Sequence, residues 1–442
     1  MSELSPTKVA HKPSEERTLL PHKVENAQAS GARNVYLAIL IVMLPFIVLW
    51  GWEIFERVFN PPLESLARPW ITHNSPYPPL SQYRWTGDLT RMARLPYFDR
   101  ELEQGPYPKR YAHRITDEWG FVNPPSDEPP QPIGQEYDII TTGSSYMAEG
   151  STYEHTIAAQ LAQITGKKVY NAAWPGGSPV QGILKLLTDP EFYQGHDQVI
   201  ILGVIQRLLY SWSFDLVQQH LAEDGSVLKV YKVPQPELGL MDYLDWRNQI
   251  ERWLENTSSV RKFAVTAGRY LPPMALDKGY ESPVRISWFT LNNNAPILFY
   301  PGDIHSTYHS YEDRNGDQIL KIIQRLKKRC ENLNNRLIVL FIPDKYELYK
   351  DFVEPKQYPE HHPEPEDQIP HPEQRAPAVL TQKLHEHGIE AIDLYPVLHK
   401  VQVENPETLL FWVDDTHWSD AGVRVAASTV ANYLKENPEP GL

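Results

Sequence analysis

Cysteine is nearly absent from this chain of 442 residues, where Cys330 stands alone. No intramolecular disulfide can form and no cysteine cluster can hold a metal, so the fold rests on packing. A basic excess is missing too: 42 lysines and arginines face 56 aspartates and glutamates, for a net charge of −14. Such a surface repels a phosphate backbone, which excludes nucleic acid as a partner and disfavours a polyanionic substrate unless a local basic groove compensates. No internal repeat is evident. What is present is 41% hydrophobic and 22% charged residues, enough for a substantial core, and 40 prolines. The prolines crowd between Pro61 and Pro79 and again from Glu354 to Pro377, both of which read as surface loops or spacers.

Long uncharged runs are also scarce, and the one from Val35 to Trp52, VYLAILIVMLPFIVLWGW, is the clearest feature of the chain. As a helix it spans roughly 27 Å at about 1.5 Å per residue, just enough to cross a bilayer. Trp50 and Trp52 stand where an interfacial aromatic belt belongs, and Pro45 is tolerable inside a membrane helix. Lys8, Lys12, Arg17, Lys23 and Arg33 precede the run, while Glu53, Glu56 and Arg57 follow it. The positive-inside rule then puts residues 1–34 in the cytoplasm and the rest of the chain outside it, in the periplasm or beyond. No small-x-small cleavage site follows, so 35–52 reads as an uncleaved signal anchor.

Residues 53–134 are rich in Pro, Tyr and Trp without periodicity and read as an irregular stalk and N-terminal segment packed on the domain, with no legible function. From 135 to 442 the pattern is that of an α/β domain. Apolar runs at Tyr137–Thr142, Lys168–Ala172, Gln198–Gly203, Arg336–Pro343 and Ile389–Leu394 alternate with amphipathic stretches, which predicts a parallel sheet covered on both faces. The alternation lapses between about 208 and 335, read as an insertion, and 354–377 is a proline-rich loop. Catalytic groups in such an open sheet belong on loops at the carboxyl ends of strands.

Two segments carry chemistry at such loops. Gly143-Ser144-Ser145-Tyr146 follows a strand where the chain turns into a helix, so a serine there gains exposure and nearby helix-terminal amides; an N-cap serine is the plain alternative. Phe411-Trp-Val-Asp-Asp-Thr-His-Trp418 precedes the last helix, and an Asp close before a His can orient the imidazole while it takes a proton from serine; Asp414 and Asp415 both qualify.

Together these segments resemble the SGNH, or GDSL-like, hydrolases. Gly143-x-Ser145 is similar to their first block, and Asn171-Ala-Ala-Trp-Pro-Gly176-Gly177 resembles the second, whose glycine amide supplies an oxyanion donor. The third block departs: after the strand QVIILG stands Val204-Ile205-Gln206-Arg207, without the Asn donor. Arg207, the segment Ile342-Pro-Asp-Lys345-Tyr-Glu-Leu-Tyr349 and the motif Asp415-Thr-His417-Trp418 are similar to the alginate O-acetyltransferase (AlgX/AlgJ-type) family. The likeness runs from about Tyr137 to Leu434 with a poorly matched middle and no C-terminal carbohydrate-binding module.

The resemblance implies an SGNH-like three-layer sandwich with a central parallel sheet. It implies Ser145 as nucleophile, His417 as general base and Asp415 as orienting carboxylate, with Gly176, Gly177 and the Ser145 amide holding the oxyanion. Arg207 and Lys345 become candidates for acceptor binding or internal ion pairs, and Tyr146 and Trp418 for sugar stacking or packing. The activity implied is O-acetylation of an exported or cell-surface polysaccharide without a diffusible cofactor, the acetyl group coming from a membrane-bound acyltransferase. A carbohydrate acetyl esterase and an inactive polysaccharide-binding subunit are the alternatives. Three weaker signals remain, each with a plain reading. Asp313-Arg-Asn315-Gly-Asp317 reads as a turn before a calcium loop, Lys321–Arg329 as a solvated basic helix face, and His361, His362 and His371 as loop residues before metal ligands, so no metal is expected.

Overall fold

The computed structural model describes residues 110–126, 131–175, 179–210, 214–232, 287–291, 296–312, 315–355 and 371–438, the strand 82–86, and Leu44, Pro76 and Leu80 singly. The chain divides into two compact units, Met1–Pro62 with Glu251–Ala264, and Leu63–Ile250 with Val265–Leu442. Leu44 is the one described residue of the first unit, so the expected membrane span at 35–52 otherwise lies outside the described residues. Among the described residues no helix is long and apolar enough to cross a membrane.

The second unit runs in chain order β1 (Gln82–Thr86), β2 (Tyr111–Ile115), β3 (Ile139–Gly143), α1 (Ser145–Ala148), α2 (Ile157–Thr165), β4 (Val169–Asn171), α3 (Gln181–Thr188), β5 (Val199–Ile205) and α4 (Phe214–His220). It continues with β6 (Ser287–Leu291), β7 (Pro296–Phe299), α5 (Pro301–Thr307), α6 (Gly316–Glu331), β8 (Arg336–Ile342), α7 (Lys345–Tyr349), β9 (Val353–Pro355), α8 (Ala376–Glu386), β10 (Glu390–Asp393), α9 (Tyr395–Glu404) and α10 (Asp420–Glu436).

Strands β4, β3, β5, β8 and β10 form, in that order, one parallel sheet. The runs VIILGVI and LIVLFI are buried on both faces, as central parallel strands must be when helices cover both sides. Ile183, Leu187, Ile319, Leu326, Leu380 and Leu384 of α3, α6 and α8 build one core, and Leu161, Leu398, Ala427 and Val430 of α2, α9 and α10 belong to the core of the other face. Chain order reverses between β3 and β5, and the crevice at the carboxyl ends of such a pair is where open α/β sheets place their ligands.

Two expectations change. The insertion is narrower than 208–335, because α6 is the crossover helix between β5 and β8: Ile319, Ile322, Ile323 and Leu326 recur at helical spacing and are buried, a stripe that the lysines and arginines of its outer face obscure in the sequence. Nor is the segment before 135 wholly irregular. Strand β2 pairs antiparallel with β1, and the chain around it sends Arg110, Arg114 and Phe121 into the interior, 3%, 2% and 0% exposed.

Candidate active site

Strand β3 ends on Gly143, whose φ of +138° suits glycine, and a Cβ there would lie 2.3 Å from the Gly203 carbonyl oxygen of β5. The glycine thus lets β3 close on β5 and turn sharply into α1. In the run from Ile139 to Gly150 every residue is buried except Ser145, the first residue of α1, which is partly exposed. The turn therefore offers one hydroxyl at the sheet's carboxyl edge.

The second half of the site is a tight loop closed by an antiparallel bridge between Phe411 and Trp418 and by the Trp412 amide donating to the His417 carbonyl at 3.2 Å. Lys345, at the start of α7 and fully buried, donates to the carbonyls of Leu298, Val413 and Asp415 at 2.7, 3.1 and 3.0 Å. The Leu298 amide of β7 donates back to Val413 at 2.9 Å. The loop is thereby fixed to the small antiparallel sheet β7-β6-β9 and, through the Ser419 cap, to α10.

These two parts meet across the crevice. His417 Nε2 lies 2.7 Å from Ser145 Oγ, and His417 Nδ1 lies 2.6 Å from Asp415 Oδ1, which also accepts from the His417 amide at 2.9 Å. Burial would raise Asp415, but the Arg110 guanidinium and His417 hold its carboxyl well below the usual range, so it stays ionised. Asp414 does not reach the imidazole in this way. It accepts from the Arg110 amide at 3.1 Å, and burial pushes its pKa up to about 6.

Three charged residues absent from the sequence-based site complete the arrangement. Arg110 donates through Nη1 to Asp415 at 2.8 Å, with the same nitrogen 2.9 Å from His417 Nδ1, and through Nη2 to Glu149 at 2.6 Å. Arg114 Nη2 lies 2.5 Å from the same Glu149 oxygen, which stands 3.7 Å from His417 Nε2. Burial would raise Glu149, yet Arg114, His417 and Arg110 outweigh it and lower the carboxyl to about 2. The signal in the sequence is slight: Arg110, just before β2, alternates with Ala112 and Arg114 on it, and all three are buried, so two buried arginines demand a buried acid.

Other expected residues have different surroundings. Tyr146 and Trp418 are 1% and 2% exposed, so neither ring presents a face to a sugar; they pack edge to face at 5.8 Å. The Tyr146 hydroxyl donates to the Thr416 carbonyl and accepts from Arg207 at 3.1 Å, tying α1 to the His417 loop. Arg207 pairs with Asp303 at 2.8 Å and Asp344 at 2.6 Å, and these supply the acidic company that its sequence neighbours Gly203 and Gln206 lack. Lys345 is enclosed and cannot touch an acceptor. Gln206, the residue after β5, is buried and donates to the Ser306 carbonyl at 3.5 Å.

Gly176 and Gly177 lie outside the described residues, as do Asp313, His361 and His362. Asp317 accepts from Tyr311 at 2.6 Å and pairs with Lys383 at 3.2 Å, while His371 is exposed beside Glu373. No group of three or more metal-binding side chains occurs among the described residues.

Residues 298–442 match the family model of the SGNH hydrolase-like domain of the acetyltransferase AlgX. Over that stretch, about a third of the chain, the sequence is similar to an AlgX-type SGNH domain. That stretch holds β8, β10, Lys345 and the His417 loop; Ser145 lies before it. No curated protein matches the chain. Among solved structures, a Bacillus subtilis protein, YxiM, is similar at 12% identity over 72% of this chain and 60% of its own, with a TM-score of 0.32. The salicylyl-acyltransferase SsfX3 from a tetracycline biosynthetic pathway is similar at 10% identity over 72% of this chain and 57% of its own, with a TM-score of 0.29. The chain thus spans about three-fifths of the length of these structures.

Proposed function

We propose that the chain is an O-acetyltransferase anchored in the cytoplasmic membrane by residues 35–52, which acts outside the cytoplasm on hydroxyls of an exported or cell-surface polysaccharide. The observation that carries the chemistry is the unbroken line of contacts from Ser145 Oγ to His417 at 2.7 Å and from His417 to Asp415 at 2.6 Å. His417 Nε2 takes the hydroxyl proton as Oγ attacks the carbonyl carbon of an acetyl ester, and returns it to the departing alkoxide, leaving acetyl-Ser145. A sugar hydroxyl then gives its proton to Nε2 and attacks the same carbonyl, the bond from that carbon to Oγ breaks, and Nε2 returns the proton to Oγ, releasing the acetyl sugar and restoring Ser145. Asp415 keeps the Nδ1 proton in place and offsets the imidazolium charge.

The Ser145 amide at the start of α1, with Gly176 or Gly177, holds the oxyanion in this reading; amides of a first helical turn have no intrahelical acceptor. A membrane-bound acyltransferase supplies the acetyl group, and the anchor keeps the domain beside it.

The test uses the full-length chain in detergent with a chromogenic acetyl ester, with and without oligosaccharide, against Ser145→Ala. Acetylated sugar made by the wild type alone supports the transfer. Acetate released at one rate whether or not sugar is present makes the protein an esterase, and equal inactivity of both proteins refutes a serine mechanism.

A further inference from the structure

His417 has a carboxylate on each side. Asp415 meets Nδ1, while Glu149, which follows α1, lies 3.7 Å from Nε2, the nitrogen that also faces Ser145 Oγ at 2.7 Å. Glu149 is 5% exposed, and two buried arginines, Arg110 and Arg114, grip the same oxygen at 2.6 and 2.5 Å. Burying three charges costs several kcal/mol per ion unless pairing compensates, so a purely packed core is better made from apolar residues of the same volume. Here the charges stand against the imidazole that faces the partly exposed Ser145 hydroxyl.

We infer that Glu149 is a positioning residue for acyl transfer: held by Arg110 and Arg114, it fixes His417 with Nε2 toward Ser145 and offsets the positive charge that Nε2 gains when it takes a proton. Arg110 joins the two sides into one unit, because its Nη1 bonds Asp415 and its Nη2 bonds Glu149. Among the described residues, the charged and titratable groups facing His417 are Asp415 from its own loop, Arg110 and, through Glu149, Arg114 from the β2 segment, and Ser145, Tyr146 and Glu149 from α1 and the residue after it. The inference rests on the acetyl-serine reading above.

The experiment compares the full-length wild type with Glu149→Gln and Glu149→Asp in acetyl-ester turnover across pH, with thermal melts to check folding and with imidazole NMR of His417 assigned by His417→Ala. Glu149→Gln is expected to lower kcat at pH 7 at least about tenfold with KM little changed. It should also move the acidic limb of kcat/KM and the His417 titration midpoint down by about one pH unit, since a nearby negative charge is gone and two positive ones remain. Glu149→Asp keeps the charge and should return both toward wild type. Wild-type rate and limb in Glu149→Gln overturn the inference. So does a loss of rate with an unmoved limb and no rescue by aspartate, which assigns Glu149 to folding alone. A wild type no faster than Ser145→Ala overturns the acetyl-serine reading instead, and the NMR midpoints then decide the inference separately: equal midpoints reject it.

Discussion

Lys345 has two possible roles in the sequence, an acceptor contact or an internal pair, and Lys345→Met separates them while keeping most of the side-chain volume. The wild-type ammonium is fully buried and donates to three carbonyls, of Leu298, Val413 and Asp415, at 2.7 to 3.1 Å. Each such charge-assisted bond contributes about 1.5–3 kcal/mol, against which stands the several-kcal/mol cost of burying the ammonium itself. The net loss on substitution is then about 2–4 kcal/mol, which lowers Tm by roughly 5–10 °C for a domain of this size. Because the Asp415 carbonyl loses its anchor, the carboxylate drifts from His417, and a displacement near 1 Å costs up to about a hundredfold in kcat. KM for the acetyl ester stays the same, since Lys345 touches no substrate. Differential scanning calorimetry and steady-state ester kinetics on the same preparations measure both. An unchanged Tm together with a raised KM for oligosaccharide would refute the reasoning and return Lys345 to the acceptor site.

Asp415→Asn should lower kcat/KM by roughly three to four orders of magnitude, because the amide cannot hold the required imidazole tautomer, whereas Asp414→Asn should change it only about severalfold; one kinetic comparison assigns the carboxylate. Glu149 has a folded pKa of about 2 against 4.5 unfolded, so it stabilises the fold above pH 4.5 and loses that contribution as pH falls toward 2. Denaturant unfolding of wild type minus Glu149→Gln should therefore shrink by up to roughly 3 kcal/mol across that interval, and a constant difference contradicts the ion-pair account. Gly143→Ala should destabilise by at least about 2 kcal/mol, given its positive φ and the nearby Gly203 carbonyl, as an unfolding midpoint would register.

The parallel sheet was legible because its strands are short apolar runs buried on both faces, a pattern that survives without tertiary information. Ser145 was legible as a serine where a strand turns into a helix and His417 as a histidine in the loop before the last helix, 272 positions apart, and the α/β topology is what makes the two segments neighbours. The helix at 321–329 was legible but its role as the buried crossover α6 was not, because dense positive charge on one face hides the Ile319–Leu326 stripe on the other. Tyr146 and Trp418 stood open between stacking and packing, because an aromatic beside a reactive residue says nothing about which way its ring turns; here both turn inward to hold the loop. Arg110 and Glu149 were illegible for a third reason. Their meaning lies in a pairing between a segment that looks like a spacer and the end of α1, and one chain without a partner pattern cannot announce it.

The central claim is that Ser145 carries the acetyl group between donor and acceptor. Full-length protein quenched in acid during turnover of the acetyl ester, then digested and analysed by mass spectrometry, tests it directly. The account predicts an acetylated peptide whose modification maps to Ser145, which disappears when oligosaccharide is added and is absent from Ser145→Ala and His417→Ala. Turnover with no acetyl group on Ser145, or acetylation of Ser144 with Ser145→Ala fully active, would contradict it.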